Sequence, residues 1–315
     1  MADAAGWSTI ESDEGVFTSL VENLGVKGIQ FEELISLDPD TIRSLGTVYG
    51  VIFLFKYLRP QASSTSDSTK DGTPTDPSIL PSNFFFANQT IQNACGTQAI
   101  LSVLLNHDTP TAENNQRPIE LGSELSSFKD FTTGFPSDLR GEALSNSEAI
   151  RAAHNAFARA SPFVDETARR DDDEEGDVYH FIAYTPINGQ LFELDGLQQS
   201  PISHGPCTSD SFPEKVIEVL QERIARYPET ETRFNLMAAV RDLRIAATEM
   251  GDLDALKAEE RKRAQWNWEN GLRRSNFVGF IGEMMKGVAG GKEKEGKFDE
   301  WVAKAHGETE RRLRR

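Results

Sequence analysis

The sequence predicts a mixed α/β domain, with an antiparallel sheet flanked by helices, followed by a helical C-terminal extension. Three observations predict this fold class. An apolar helical run starts at Cys95, two strand-like runs surround Asn188-Gly189, and helix-periodic, charged sequence fills the chain from Glu214 onward. A chain of 315 residues is long enough to bury a sizeable core and still carry an extension.

The first predicted elements are a short buried strand at Phe84-Phe85-Phe86 and a helix that starts at Cys95. Apolar residues recur from Cys95 at spacings of three and four, as one helical face requires: Ala99, Ile100, Val103 and Leu104. Cys95 is therefore expected in the first helical turn. There the free backbone N–H groups and the helix dipole favour a thiolate over a thiol and are able to hold an oxyanion.

Two more strands are predicted on either side of Asn188-Gly189, a dipeptide typical of tight hairpins. The first strand, residues 178–184, is β-branched and aromatic and contains His180. The second, residues 191–197, contains Asp195. The two strands therefore bring a histidine and a carboxylate into one hairpin.

Turn length decides how His180 and Asp195 meet. With a two-residue loop, His180 lies opposite Leu197 and Asp195 is its diagonal neighbour. With a four-residue loop that begins at Pro186, His180 lies directly opposite Asp195. Both registers place the two side chains on one face of the hairpin, whereas an odd loop or a bulge would separate them.

Cys95, His180 and Asp195 match the needs of a cysteine hydrolase. A thiol requires a base to take its proton, and a carboxylate beside a histidine fixes the tautomer of the ring. Gln89, six residues ahead of Cys95, is a candidate oxyanion donor beside the backbone N–H of Cys95. Each residue type alone is more often structural, so the combination carries the prediction.

Helices are predicted over the remaining chain. The apolar pattern of residues 214–227 continues through residues 236–243, and charged helical sequence follows to Arg263. An apolar cluster then interrupts the charged sequence: Trp266, Trp268, Phe277, Phe280, Ile281, Met284 and Met285. From the pattern alone, it is expected to form a small helical subdomain that packs on itself or on the preceding domain.

Composition and charge limit the kinds of location and partner that are expected for this chain. Two cysteines argue against a disulfide framework, and neither a signal-like N-terminus nor a membrane-length apolar run is found, so a cytosolic or nuclear location is expected. Of the net charge of −17, residues 251–315 contribute 15 basic and 12 acidic side chains, or +3, which leaves −20 for the first 250. That charge either suits a basic substrate or is an ordinary solubilising surface, and it disfavours nucleic acid as a partner of this part.

The sequence around these residues resembles that of the ubiquitin C-terminal hydrolases, which are papain-like cysteine peptidases. The resemblance rests on five segments: Gln89 to Ile100, Tyr179-His180-Phe181, Leu191 to Leu197, Trp7 to Phe17 and Gly50 to Tyr57. It implies a papain-like fold with a deeply threaded chain. It also implies Cys95 as nucleophile, His180 as general base and acid, Asp195 as its orienter and Gln89 as oxyanion donor. Neither a metal nor an organic cofactor is implied.

Two further segments, Ser147–Phe157 and Arg233–Ala238, resemble the longer, proteasome-associated members of that family. Those members carry a helical C-terminal extension, which docks onto a proteasomal ubiquitin receptor or a chromatin-associated partner. The resemblance thus implies a catalytic domain over residues 1–230 and a partner-binding extension over residues 231–315.

Two loops are expected within the catalytic domain. Residues 61–83 are rich in Ser, Thr, Asp and Pro and are expected as a flexible surface loop. Residues 161–177 contain a charged run ahead of His180, where the resemblance implies a crossover loop over the active-site cleft. The run is either simply solvated or, from its position, limits access to the cleft.

The implied activity is cleavage of thioester, ester or (iso)peptide bonds at the C-terminal glycine of ubiquitin, whose tail is basic. Two alternatives use the same residues. A non-catalytic ubiquitin-binding scaffold would recruit partners through its extension, and a hydrolase of another ubiquitin-like modifier would share the chemistry and differ in tail recognition.

Overall fold

The computed structural model describes residues 6–57, 72–91, 93–109, 117–157, 179–275 and 277–313. The described elements fall into two compact units, of which one contains the sheet and extends to Arg274 and the other begins at Ser275.

The helices of the sheet-containing unit are α1 (Glu14–Asn23), α2 (Pro39–Ser44), α3 (Cys95–Leu104), α4 (Gly122–Thr132), α5 (Ser137–Asn146), α6 (Glu148–Asn155), α7 (Phe212–Ile224), α8 (Leu243–Met250) and α9 (Leu253–Arg274). Its strands are β1 (Ile29–Glu33), β2 (Val48–Lys56), β3 (Thr73–Pro74), β4 (Tyr179–Ile187), β5 (Gln190–Leu194), β6 (Ile202–Pro206) and β7 (Asn235–Arg241). A short 3₁₀ helix covers Pro77–Ile79, and the second unit holds α10 (Val278–Lys294) and α11 (Phe298–Leu313).

Within the described ranges, the strands form one antiparallel sheet in the order β1-β7-β2-β4-β5-β6-β3. The central strand β2 carries an unbroken apolar run, as expected for a strand that is covered on both faces. Ile52 packs with α1 and α3 on one face, whereas Val51 and Phe53 pack with α7 on the other. The predicted α/β fold with a helix-flanked antiparallel sheet is confirmed.

The hairpin of β4 and β5 has the shorter of the two predicted loops. Ile187 pairs with Gln190, which leaves Asn188 and Gly189 as the loop residues. Both have positive φ, 51° and 78°, a conformation that asparagine and glycine adopt more easily than other residues. The chemistry of the turn therefore fixes the register of the hairpin.

The prediction of a strand at Phe84-Phe85-Phe86 is wrong, although all three side chains are buried. The side chain of Asn106, just after α3, takes the place of a neighbouring strand. It accepts from the N–H of Phe85 at 2.9 Å and donates to the carbonyl of Phe85 at 2.9 Å. A side chain 21 residues away thus satisfies the backbone that a strand would have paired.

The helix predicted through residues 236–243 is also wrong, because most of this segment forms β7. β7 pairs with β1 on one side and β2 on the other, and Leu236 to Val240 are buried. A short apolar run that is covered on both faces is compatible with a helix or a strand. Here its pairing with β1 and β2 makes it a strand. The expected boundary after residue 230 would divide the sheet.

The two expected loops lie largely outside the described residues. Residues 161–177 lie outside entirely, as do residues 61–71 of the first loop. The described end of the first loop is ordered into β3, which pairs with β6 at the edge of the sheet, and into the 3₁₀ helix.

The apolar cluster predicted in the extension is split between the two units. Trp266 on α9 is buried against α1 in the sheet-containing unit. The remaining members stay exposed: Trp268, Phe277, Phe280, Ile281, Met284 and Met285. None of the helices in the described ranges combines the length and apolarity that a membrane span requires.

A buried ion pair joins the sheet to α7. Arg223 Nη1 lies 2.6 Å from Glu193 Oε1, and His204 Nε2 lies 3.1 Å from Glu193 Oε2. Arg223 also donates to the hydroxyl of Tyr184 at 3.2 Å. Burial alone would raise the pKa of Glu193, but Arg223 and His204 outweigh it and lower the pKa to about 2. Glu193 is therefore charged inside the protein.

Replacement of Glu193 by glutamine is expected to destabilise the fold by about 3–5 kcal/mol, because Arg223 would remain buried without its counter-charge. The free energy of unfolding in urea measures this. Glu218→Gln is the matched control, since Glu218 pairs with Lys215 on the exposed side of α7 and its loss should cost less than about 1 kcal/mol. Equal losses for the two variants would contradict the role of the buried pair.

Candidate active site

Cys95 is the first residue of α3, as predicted, and is partly exposed, whereas the helix residues after it are buried. Ala94 precedes it as the N-cap residue and provides no capping side chain. Asn93 has a φ of 71° and turns the chain into the helix. The N–H groups of the first turn are therefore not capped by a side chain and remain available to an anion.

His180 and Asp195 meet in the interior, each 3% exposed. The imidazole Nε2 lies 2.6 Å from Asp195 Oδ1, and the same oxygen accepts from the backbone N–H of Leu197 at 2.9 Å. Cys95 lines the same cavity as His180 and lies close enough to the imidazole to raise its pKa. Because Asp195 occupies Nε2, Nδ1 is the ring nitrogen that remains for the thiol. The structure thus brings Cys95, His180 and Asp195 together.

Opposing effects act on the pKa of His180. Burial disfavours the imidazolium and lowers the pKa. The hydrogen bonds and negative charges of Asp195 and Cys95 act in the opposite direction, and together they raise the pKa to about 9. The ring therefore carries its proton at neutral pH, when it is paired with both neighbours.

Two aromatic rings from β2 and its end surround the imidazole, and sequence reasoning missed both. The ring centroids of Phe55 and Tyr57 lie 5.8 Å and 5.9 Å from that of His180, each at a steep angle. Phe55 pairs with His180 across β2 and β4. The aromatic run in β2 was visible in the sequence, but its register against β4 was not.

Gln89, the candidate oxyanion donor, lines the same cavity as Cys95. Its side-chain Nε2 donates to the carbonyl of Ile91 at 2.9 Å, and its Oε1 is buried without a hydrogen-bond partner among the described residues. Gln89, Cys95 and His180 line one cavity of about 660 Å³. An amide nitrogen carries two hydrogens, so the hydrogen bond to Ile91 leaves one N–H of Gln89 unused by that contact.

Gly196, next to Asp195, connects that part of the site to the segment that carries Gln89. The sequence did not predict this role. Its carbonyl accepts from the backbone N–H of Gln89 at 2.7 Å. A Cβ on Gly196 would lie 2.9 Å from Cδ of Gln98 and 3.0 Å from Cβ of Gln89. Gln98 is buried and donates to the carbonyl of Ala87 at 2.6 Å, so its side chain has little room to move.

In the ranges that the structure describes, no group of three or more His, Cys, Asp or Glu side chains is arranged to hold a metal ion.

Comparison with known protein families gives two matches. The profile described as ubiquitin carboxyl-terminal hydrolase, family 1, matches residues 7–225, and a second profile described as ubiquitin carboxyl-terminal hydrolases matches residues 252–293. This chain belongs to the ubiquitin carboxyl-terminal hydrolases of family 1. The family predicted from the motifs is therefore confirmed, and the chain is a thiol-dependent deubiquitinating hydrolase.

Individual relatives agree with this assignment. The hydrolase is 49% identical over 286 residues to ubiquitin carboxyl-terminal hydrolase 2 of Schizosaccharomyces pombe, which covers 89% of this chain and 90% of that protein. It is 38% identical to ubiquitin carboxyl-terminal hydrolase ubh-4 of Caenorhabditis elegans, over 95% of this chain and 91% of that protein.

The fold is also similar to a crystal structure of Trichinella spiralis UCH37 bound to ubiquitin vinyl methyl ester. The TM-score is 0.62 at 33% sequence identity, and the match covers 85% of this chain and 99% of the other.

Gly196→Ala in this ubiquitin carboxyl-terminal hydrolase is expected to lower turnover of a ubiquitin C-terminal fluorogenic substrate by at least about tenfold and to cost about 1–3 kcal/mol of stability. The added methyl would push apart Gln98 and Gln89 beside Asp195. Initial rates and urea unfolding measure the two effects.

The same substitution at Gly271 in α9 is the control, because an added Cβ there meets no atom within 4 Å. Gly271→Ala should leave turnover unchanged and stabilise the helix by about 0.5–1 kcal/mol. Wild-type turnover in Gly196→Ala would contradict the close packing at this glycine.

Proposed function

We propose that Cys95, His180, Asp195 and Gln89 carry out the hydrolysis at the C-terminal glycine of ubiquitin. The observation that carries the proposal is the buried hydrogen bond between His180 and Asp195, 2.6 Å long, in a cavity that Cys95 also lines. A nucleophile, a base and an orienting carboxylate in this arrangement form a catalytic triad.

In the first step, the thiolate of Cys95 attacks the carbonyl carbon of the terminal glycine, and the carbonyl oxygen becomes an oxyanion. The backbone N–H of Cys95 and the free N–H of Gln89 stabilise that charge; loss of one such donor typically costs about 10²–10³ in turnover. The bond to the leaving group then breaks as the His180 imidazolium gives its proton to the leaving atom. Ubiquitin remains attached to Cys95 as a thioester.

In the second step, neutral His180 takes a proton from a water molecule, which attacks the thioester carbonyl. The C–S bond breaks, ubiquitin leaves with a free carboxylate, and the thiolate–imidazolium pair is restored. Asp195 keeps the ring in one tautomer through both steps, because its Oδ1 is itself held by the N–H of Leu197.

Ubiquitin is the proposed substrate class. The related Trichinella spiralis UCH37 structure holds ubiquitin vinyl methyl ester, and 33% identity over 85% of this chain supports the same recognition here. The net charge of −20 over the first 250 residues suits the basic tail of ubiquitin. The intact hydrogen bonding of His180 favours catalysis over a scaffold that only binds.

We also propose that the second unit binds a proteasomal ubiquitin receptor or a chromatin-associated partner, and that the protein acts at the proteasome in cytoplasm and nucleus. The support is a row of exposed apolar side chains on and just before α10: Phe277, Phe280, Ile281, Met284, Met285 and Val288. An exposed row of this kind on a helix is typical of partner-binding surfaces. The partner-binding part then starts at Ser275 rather than after residue 230.

Cys95→Ala is expected to abolish covalent labelling by ubiquitin that carries a C-terminal thiol-reactive group, and to abolish hydrolysis while binding of ubiquitin persists. A gel-shift assay measures the covalent labelling, and retention on immobilised ubiquitin measures the binding. Cys207→Ala is the control, because Cys207 is buried between β6 and α7, so this variant should label like the wild type. Labelling of Cys95→Ala would rule out the assignment of the nucleophile.

The pH dependence of kcat/KM should show an upper limb near pH 9, where the imidazolium of His180 loses its proton. Because the folded pKa is raised above 6.5, the stability that the pair contributes is complete below about pH 6.5 and is lost as pH rises through about 9.

Asp195→Asn removes the charge that raises the pKa of His180, so the upper limb should move to lower pH and kcat should fall. Steady-state rates from pH 6 to 10 measure both effects. An upper limb that stays at the same pH in Asp195→Asn would show that another group controls it.

A further inference from the structure

Helix α9 contacts α1 and the chain just before it with side chains three or four residues apart. Trp266 packs on Gly15, where an added Cβ would lie 2.7 Å from the indole Cγ. Asn270 is 1% exposed and donates to the carbonyl of Gly15 at 3.1 Å and to Ser19 Oγ at 2.9 Å. These contacts hold α9 along α1 until its last turn.

Arg273, in that last turn, reaches beyond α1 to the chain that precedes it. Its Nε donates to Glu11 Oε2 at 3.1 Å, and its Nη2 donates to Asp13 Oδ2 at 2.7 Å. Asn270 Oδ1 accepts from its Nη1 at 2.8 Å and orients the guanidinium. The other oxygen of Asp13 caps α1 by accepting from the N–H of Val16 at 2.9 Å.

The residues that Arg273 holds alternate with residues that form a wall of the active-site cavity. Thr9, Ile10 and Ser12 line the cavity that contains Cys95. A Cβ on Gly96 would stand 3.5 Å from Ile10 Cδ1, so Ile10 packs directly on the first turn of α3. This wall segment, residues 9–12, belongs to no described helix or strand, and its side chains therefore do much to fix its position.

Arg273 places its positive charge between two neighbouring carboxylates, those of Glu11 and Asp13. Glu11 and Asp13 lie two residues apart, with Glu14 next to them, and the side chains of Glu11, Asp13 and Arg273 are only 20–27% exposed. Screening by solvent is weaker there than at a free surface. Loss of the guanidinium would remove the attraction that draws both Glu11 and Asp13 towards the last turn of α9.

We propose that Arg273 is a positioning residue for substrate binding, which holds the wall segment against the first turn of α3 and so sets the width of the cleft that admits the ubiquitin tail. The proposal rests on the proposed function, and Arg273 itself touches no reacting atom. Arg273 lies in the last turn of α9, and the second unit starts two residues after it, so the chain enters that unit right after the residue that contacts Glu11 and Asp13.

The test compares Arg273→Ala with wild type in the full chain. KM for a ubiquitin C-terminal fluorogenic substrate should rise about fivefold, with kcat within about twofold, because binding is disturbed and the triad is not. Hydrogen–deuterium exchange of residues 7–13 should become faster in Arg273→Ala, while that of β4 and β5 stays as in the wild type.

Two further variants separate positioning from a general loss of structure. Arg273→Lys keeps the charge but not the fork that spans both carboxylates, so its KM should fall between those of wild type and Arg273→Ala. Arg261→Ala removes an exposed arginine from the same helix and should change neither KM nor exchange.

An unchanged KM with unchanged exchange in residues 7–13 would overturn the proposal. So would a fall in kcat at constant KM, or faster exchange throughout the sheet, since each points to a different role for Arg273. A wild-type chain that hydrolyses no ubiquitin substrate would contradict the proposed function instead, and exchange in residues 7–13 would still decide whether Arg273 holds the wall.

Discussion

The register of the β4–β5 hairpin is the constraint on which the site depends. A two-residue turn at Asn188-Gly189 sets that register, and with it the distance between His180 and Asp195. A slip of one residue would turn every side chain of one strand to the other face and leave an aspartate without its histidine. The chemistry proposed for Cys95 therefore depends on the Asn188-Gly189 turn, at the opposite end of the hairpin from His180 and Asp195.

Buried charge is the second theme of the molecule. The Glu193–Arg223 pair lies close to the His180–Asp195 pair. The Arg223 guanidinium is 4.7 Å from the ring centroid of Phe55, which makes a T-shaped contact with the ring of His180. Each carboxylate has a cationic or hydrogen-bonding partner within the protein, as buried ions require. The face of the sheet that packs on α7 thus supports the catalytic pair as well as the core.

Local patterns predicted much of this fold, and contacts between distant segments account for what they missed. The helix at Cys95 and the hairpin follow from periodicity and turn chemistry within about 20 residues of sequence. Residues 236–243 and Phe84-Phe85-Phe86 were misassigned because their partners, β1 and Asn106, are not adjacent in the chain. Packing at Gly196 depends likewise on Gln98, a contact with no signature in a single sequence.

The position of β7 affects how the chain is able to assemble. Strand β7 lies between β1 and β2, although some 180 residues of chain separate it from β2, so neither of these early strands has its full set of backbone partners until residue 241 is available. During synthesis on the ribosome, both strands would wait with open edges that other chains are able to pair with. Folding is then governed by contacts between segments remote in sequence, which form slowly. Chaperones would protect the emerging chain until β7 pairs with β1 and β2.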